Sequence, residues 1–170
     1  MKLAAKYDIA APAAFVFAQL ADFAGWERAA MRHGADVMRT DTQHTSGPGM
    51  TWDTQFRYRN KDRRLTIRLD AISPVNSMAP VNSMAPGSSM DLTGKSAPVD
   101  GMLHIDVLDL AAKRCRIELR LEVRPKTIAA RIYVQSLRLV RSRVERGFAQ
   151  RVAQLAAEIE DRFRRGQKQP

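Results

Sequence analysis

Cysteine is almost missing from this 170-residue chain: Cys115 stands alone, so no internal disulfide can form, which fits a reducing, cytoplasmic setting. Cys115 also falls in phase with Ile117, Leu119 and Leu121, the pattern of a small core residue rather than a reactive thiol. No apolar run approaches the ~20 residues that a membrane-spanning helix needs. Aromatics are scarce at 6% and fall mostly at core parities, so no platform for stacking nucleic-acid bases is visible. There is no HExxH, paired CxxC, GxSxG, Walker loop or Rossmann fingerprint, which leaves metal and nucleotide chemistry without support and no cofactor expected. Acidic residues are in deficit, 18 against 28 Lys and Arg, for a net charge of +10. That surplus favours anionic partners and says nothing about fold.

What is present reads as an ordinary globular domain, 45% hydrophobic and 27% charged, with 1–165 as one expected domain and 166–170 as a tail. Lys2 and Lys6 precede a mildly apolar stretch in the manner of a signal peptide. Asp8 and Pro12 interrupt it, however, and a strand over Lys2–Ile9 followed by a helix is the better reading. Pro12 suits a first helical turn, and Phe15, Val16, Leu20 and Phe23 recur at helical spacing. Gly25 is expected to break that helix, with a second short one from Trp26 to Arg32.

From Asp36 the period changes to two. Met50, Trp52, Phe56 and Tyr58 share one parity, as do Leu65, Ile67 and Leu69, and later Cys115 through Val123, each alternating with polar or charged residues. Strands over Ser89–Lys95 and Gly101–Leu110 complete an antiparallel sheet of six or seven strands with one buried and one wet face. Between two of them, at 74–87, the segment Pro-Val-Asn-Ser-Met-Ala occurs twice in tandem. Two units are too few for a repeat fold, so this is a lengthened loop. From Thr127 to Arg165 the period returns to 3.6, and Tyr133, Leu137, Val140, Val144, Phe148, Leu155 and Ile159 form one stripe. Unbroken, that helix would run about 55 Å and would supply the cover that the sheet's apolar face needs. Ile128, Ile132 and Leu139 lie roughly opposite the stripe, so the first half is expected to be covered on both sides, by core and by a partner, a lipid surface or the lengthened loop.

This order of elements, together with the opening Ile9-Ala10-Ala11-Pro12, Val16-Phe17, Leu20, Asp22 and Trp26-Glu27, resembles the START-like (SRPBCC) superfamily. Within it the chain is most similar to the polyketide cyclase/dehydrase and coenzyme Q-binding-like groups. The resemblance covers nearly the whole chain through motifs that are structural rather than catalytic. It implies an α+β helix-grip fold, a curved antiparallel sheet wrapped around a long C-terminal helix. It also implies a cavity between them for a lipid, quinone or polyketide-like molecule, with a cyclase- or dehydratase-like enzyme as the alternative.

Such a cavity needs apolar walls and a few orienting polar groups. The inward candidates are Trp52, Phe56, Tyr58, Leu65, Ile67, Leu69, Met90 and Leu92 on strands, with Tyr133 and Leu137 on the helix. Plain core packing competes for each; Trp52 and Tyr58 stand out because a buried indole N–H or phenol O–H must find a partner. Arg141 and Arg151 sit at the edges of the helix stripe, where snorkelling to solvent competes with orienting an anionic ligand. His104 and Asp106 share a strand face and form a conceivable acid/base pair, yet Leu103, Ile105 and Val107 hold the opposite, buried parity and put the pair outside. No catalytic residue is assigned. From Lys126 onward there are 11 Lys and Arg against 4 Asp and Glu. With no nucleic-acid motif in view, nucleic acid is not the expected partner; a basic face is commonly a solvated surface, and the excess suits peripheral contact with an anionic membrane equally well.

Overall fold

The computed structural model describes residues 1–58, 60–74 and 87–167. Nearly all of the duplicated segment therefore lies outside the described residues. The elements run β1 (Lys2–Ile9), α1 (Ala13–Leu20), α2 (Phe23–Arg32), β2 (Asp36–Arg39), β3 (Thr51–Tyr58), β4 (Lys61–Ser73), β5 (Gly87–Lys95), β6 (Val99–Ala111), β7 (Arg114–Pro125), α3 (Ile128–Leu139) and α4 (Arg141–Gln167). All seven strands form one antiparallel sheet in the order β1-β7-β6-β5-β4-β3-β2. Each strand from β2 to β7 pairs with its neighbour in sequence, and β1 closes on β7 with Lys2 opposite Glu122 and Ile9 opposite Cys115. The alternation read from the sequence maps onto this sheet directly. Leu69, Met90, Ile105, Val107, Cys115 and Ile117 are almost fully buried on one face, while charged residues occupy the other.

The two short helices follow β1 as expected, but Gly25 is not what ends the first: α1 stops at Leu20, and Gly25 lies inside α2. Asp22 caps α2, its carboxylate accepting from the Gly25 N–H at 2.9 Å, and α2 starts at Phe23. A Cβ at residue 25 would collide with that carboxylate. The glycine admits the cap instead of ending the helix, which is why its punctuating signal is misleading here.

The C-terminal helix is not continuous. Thr127 caps α3 through its hydroxyl, which accepts from the Ala130 N–H at 3.1 Å. At Val140 the ladder tightens to a bond onto the Leu137 carbonyl, and the Val140 carbonyl starts α4. No proline or glycine marks the break. Its physical reason is that the two halves bury different faces on different partners. Ala130 and Val134 are the buried residues of α3, which packs on β7. Val152, Ala156 and Ile159 of α4 join the core beside the edge strand β1. α4 runs to Gln167, the last described residue, two residues past the expected Arg165. Of the predicted stripe, Ile159 is buried and Phe148 and Leu155 pack against the core, whereas Tyr133 and Val140 are exposed. On the opposite side of α3, Ile128, Ile132 and Leu139 are 76%, 63% and 88% exposed in the single chain.

The core therefore sits between α1, α4 and the inner face of the sheet, with Val16, Leu20, Leu69, Ile105, Ile117 and Ile159 at its centre. Leu69→Ala is expected to lower stability by about 2–5 kcal/mol through lost burial and a residual cavity. Ile132→Ala, at an exposed site, should change it by no more than about 0.5 kcal/mol. Urea denaturation of the two variants against the parent checks both values.

Candidate functional site

Beside this core the inner face of the sheet is hollow. One row of direct cross-strand partners runs Trp52–Ile67–Gly94–Gly101–Val123 over five strands. All five residues line one cavity of about 360 Å³. The middle of the row has no side chains, because Gly94 faces Gly101 across β5 and β6. Glycine inside a strand weakens it and marks a place where something else approaches the backbone closely. Neither glycine has a positive φ, so their conformation does not require glycine. A Cβ at Gly101 would meet nothing nearer than 3.9 Å, and one at Gly94 only the flexible end of Leu65, at 3.3 Å. The space above them is real.

A second row, Leu92–Leu103–Leu121, borders the floor. Thr54 and Leu65, partners across β3 and β4, extend it on the other side. The roof is one face of α2: Phe23, Trp26, Glu27 and Ala30, at i, i+3, i+4 and i+7, all line the cavity, with Val37 of β2 beside them. Phe23 and Trp52 pack as a tilted aromatic pair with ring centroids 5.4 Å apart. The Trp52 indole N–H donates to Glu27 Oε1 at 2.6 Å, so the polar edge of this buried ring is satisfied by a carboxylate on the roof.

Of the residues proposed from the sequence, Trp52, Leu65, Ile67 and Leu92 stand on the cavity wall. Leu69 and Met90 do not; they are buried in the adjoining core, on the same parity but farther along the strands. Phe56 is half-buried and outside the cavity, and the side chain of Tyr58 lies outside the described residues. Tyr133 and Leu137 are away from it because, among the described residues, none of α3 or α4 lines this cavity: α2, not the C-terminal helix, roofs it. The sequence reading missed Phe23, Glu27, Gly94, Gly101, Leu103, Leu121 and Val123 as wall residues. Two signals pointed to them: a carboxylate inside the apolar stripe of α2, and glycines interrupting two otherwise regular strands.

The outer face carries a different arrangement. His104 Nδ1 is 2.5 Å from Asp91 Oδ1 and its Nε2 is 3.0 Å from Asp106 Oδ1, while Arg120 bridges Asp106 and Glu118 at 3.4 and 3.3 Å. Ile105 and Val107 point into the core, so the His104–Asp106 pair lies on the face opposite the cavity. Cys115 is fully buried, and burial pushes its thiol up to about 11, which leaves it unreactive. The hydrogen bond to Asp91, aided by the Asp106 charge, raises the His104 pKa above its ordinary 6.5 despite partial burial. The folded chain thus holds this proton more tightly than the unfolded chain. The stabilisation is complete below pH 6.5 and is lost as pH rises through the folded value. His104→Gln should accordingly lower the melting temperature at pH 5.5 and progressively less toward pH 9, a trend read from thermal melts of both proteins across that range.

Neither protein-family models nor curated protein sequences match the chain. Solved structures do. A protein from Thermus thermophilus superposes with a TM-score of 0.62 at 12% identity, covering 94% of this chain and 97% of that one. The Zhui aromatase/cyclase from Streptomyces sp. R1128 gives 0.59 at 15% identity over 96% and 95%. Norcoclaurine synthase from Thalictrum flavum gives 0.51 at 12% identity over 72% and 68%. At such identities the likeness concerns architecture: a seven-stranded antiparallel sheet, two short helices after the first strand and a C-terminal helical segment. The chain has the helix-grip fold.

Proposed function

We propose that this protein binds a hydrophobic small molecule, of lipid, quinone or polyketide-like type, in the cavity between the glycine-centred floor and α2. The observation that carries this reading is the paired absence of side chains at Gly94 and Gly101 beneath an otherwise apolar enclosure. Close packing is the rule in protein interiors, and a hollow of about 360 Å³ falls within the range of small-molecule sites. The likeness to an aromatase/cyclase supports the same reading at the level of fold. A cyclase- or dehydratase-like reaction is the second reading, favoured by one observation, the Glu27 carboxylate set into the wall.

The test is native mass spectrometry after incubation with a mixed lipid and quinone extract. The parent chain should take up a discrete, extractable adduct. Gly101→Leu, whose side chain enters the hollow without a backbone clash, should keep its fold and lose the adduct. A ligand released unchanged supports a carrier; one released chemically altered supports the enzyme. An adduct retained by Gly101→Leu would refute the cavity as its site.

A carrier of such molecules has to collect them from a bilayer, and the proposal extends to peripheral contact with an anionic membrane. α3 offers Ile128, Ile132 and Leu139 to solvent within a C-terminal segment carrying 11 Lys and Arg against 4 Asp and Glu. Apolar side chains for shallow insertion and basic ones worth about 1 kcal/mol each near the surface are the two parts such binding needs. Sedimentation with phosphatidylserine-containing vesicles is expected to fall sharply for Ile128→Asp/Ile132→Asp and to weaken with added salt.

A further inference from the structure

The cavity lies at one end of the sheet, with the core on its other side, and the strand register fixes what else stands at that end. Outward from the Trp52–Ile67–Gly94–Gly101–Val123 row come the pairs Thr54–Leu65 on β3 and β4 and Lys95–Asp100 on β5 and β6, with Arg124 and Pro125 on β7. β2 begins opposite Gln55 and β5 ends opposite Thr66, so beyond these positions β3 and β4 pair only with each other. The pairs Phe56–Arg63, Arg57–Asp62 and Tyr58–Lys61 form a two-stranded arm that runs about 10 Å past the sheet. Asn60, with φ +61°, makes its turn. Arg57, Lys61, Arg63 and, at the root, Arg64 are all exposed, against a single acid, Asp62. Alternation puts Lys61 and Arg63 on the face that Leu65 shares with the cavity, and Arg57 and Arg64 on the outer face. None of the four forms an ion pair among the described residues, whereas two other cations of this end are taken, Arg124 by Glu122 at 3.0 Å and Lys126 by Asp100 at 3.3 Å.

We infer that this arm is an electrostatic anchor that docks the cavity end of the molecule onto an anionic bilayer. The inference rests on the membrane contact proposed above and gives it an anchor and an orientation. Exposed apolar side chains stand at the same end. Trp26, on the cavity wall, is 38% exposed, and Ile128, 76% exposed, opens α3. The start of α3 is fastened there, because the Lys126 N–H donates to the Pro98 carbonyl at 2.9 Å and its Nζ to the Ser96 carbonyl at 3.2 Å. Unpaired cations beside exposed apolar side chains match a bilayer surface, which offers phosphates and hydrocarbon together. A nucleic acid would meet the cations but offer the apolar residues no hydrocarbon. With charge on both faces, the narrow arm can enter the headgroup layer edge-on, and every one of its cations then finds anions. Docked in this way, the cavity lies beside the bilayer, the source of an apolar ligand.

Co-sedimentation with vesicles of phosphatidylcholine and phosphatidylserine in equal parts tests the anchor, with pure phosphatidylcholine vesicles as the uncharged reference. The parent chain is compared with Arg57→Gln/Lys61→Gln/Arg63→Gln/Arg64→Gln. The control is Lys113→Gln/Arg151→Gln/Arg162→Gln/Arg165→Gln, which removes four exposed charges from the β6–β7 turn and α4. Both variants carry the same net charge, so only the place of the lost charges differs. The arm variant is expected to bind anionic vesicles at least about tenfold more weakly than the parent, and the control to stay within about threefold. Should the arm variant not fold, Lys61→Gln/Arg63→Gln against Lys113→Gln/Arg165→Gln gives the same comparison, with an expected loss of at least about fivefold. Equal weakening by arm and control variants, or full binding by the arm variant, would overturn the anchor and leave a membrane contact made elsewhere. A parent chain that does not sediment with anionic vesicles refutes the anchor and the membrane contact together, while the adduct test of the cavity stands apart. Tighter binding of a duplex oligonucleotide than of anionic vesicles, lost in the arm variant, would overturn the inference in favour of nucleic acid.

Discussion

Everything in this molecule depends on the pairing register of one antiparallel sheet. Because side chains alternate faces along each strand, a slip of one residue in any pair would carry an entire apolar set to the solvent side. As paired, the register aligns Trp52, Ile67, Gly94, Gly101 and Val123 into a single row. It also stacks Leu69 against Leu92 and Leu92 against Leu103. The first row is the hollow and the second its border with the core. On the opposite face the same register brings His104 between Asp91 and Asp106, and Arg114 and Arg116 onto Asp8. Core, cavity and outer ion pairs are three consequences of one set of hydrogen bonds.

The cavity persists because the helices divide the work of covering the sheet. α1 and α4 fill the part beside β1 and β7, where Val16, Leu20, Ala156 and Ile159 meet Ile9, Cys115 and Ile117. α2 covers the far part and brings a carboxylate with it. α2 is held over the sheet by the Phe23–Trp52 ring pair and the Trp52–Glu27 hydrogen bond, so the roof is attached to the floor through the same residues that would meet a ligand. In the proposed reading, binding and local order would therefore be coupled at Trp52. α3, packed on β7 by two small buried residues, is left with an apolar face toward solvent.

Electrostatics separates the surface from the interior. Basic residues are spread over the outside, and on the outer sheet face Lys6, Arg114, Arg116, Arg120 and Arg124 pair with acidic neighbours. The cavity wall, by contrast, presents almost only apolar surface. A net charge governs how a molecule approaches its partners, while the local lining governs what a site accepts.

Strand parity, the order of elements and the amphipathic α1 were legible in the sequence, because each is set by local periodicity and burial rewards that periodicity wherever the strand ends up. Cys115, Ile105 and Val107 could be placed inside, and His104 outside, on alternation alone. Trp52, Leu65, Ile67 and Leu92 could be marked as inward, yet nothing local distinguishes them from Leu69 and Met90, which share their parity and lie in solid core. That distinction depends on which residues sit opposite: Ile67 faces a glycine across the sheet, Leu69 faces a leucine. The break at Val140 was equally illegible, since no residue there disfavours helix. It arises because α3 and α4 bury different faces on β7 and β1. Periodicity decided which way each side chain points. Only the tertiary register, with the partner each helix found, decided where the space was left.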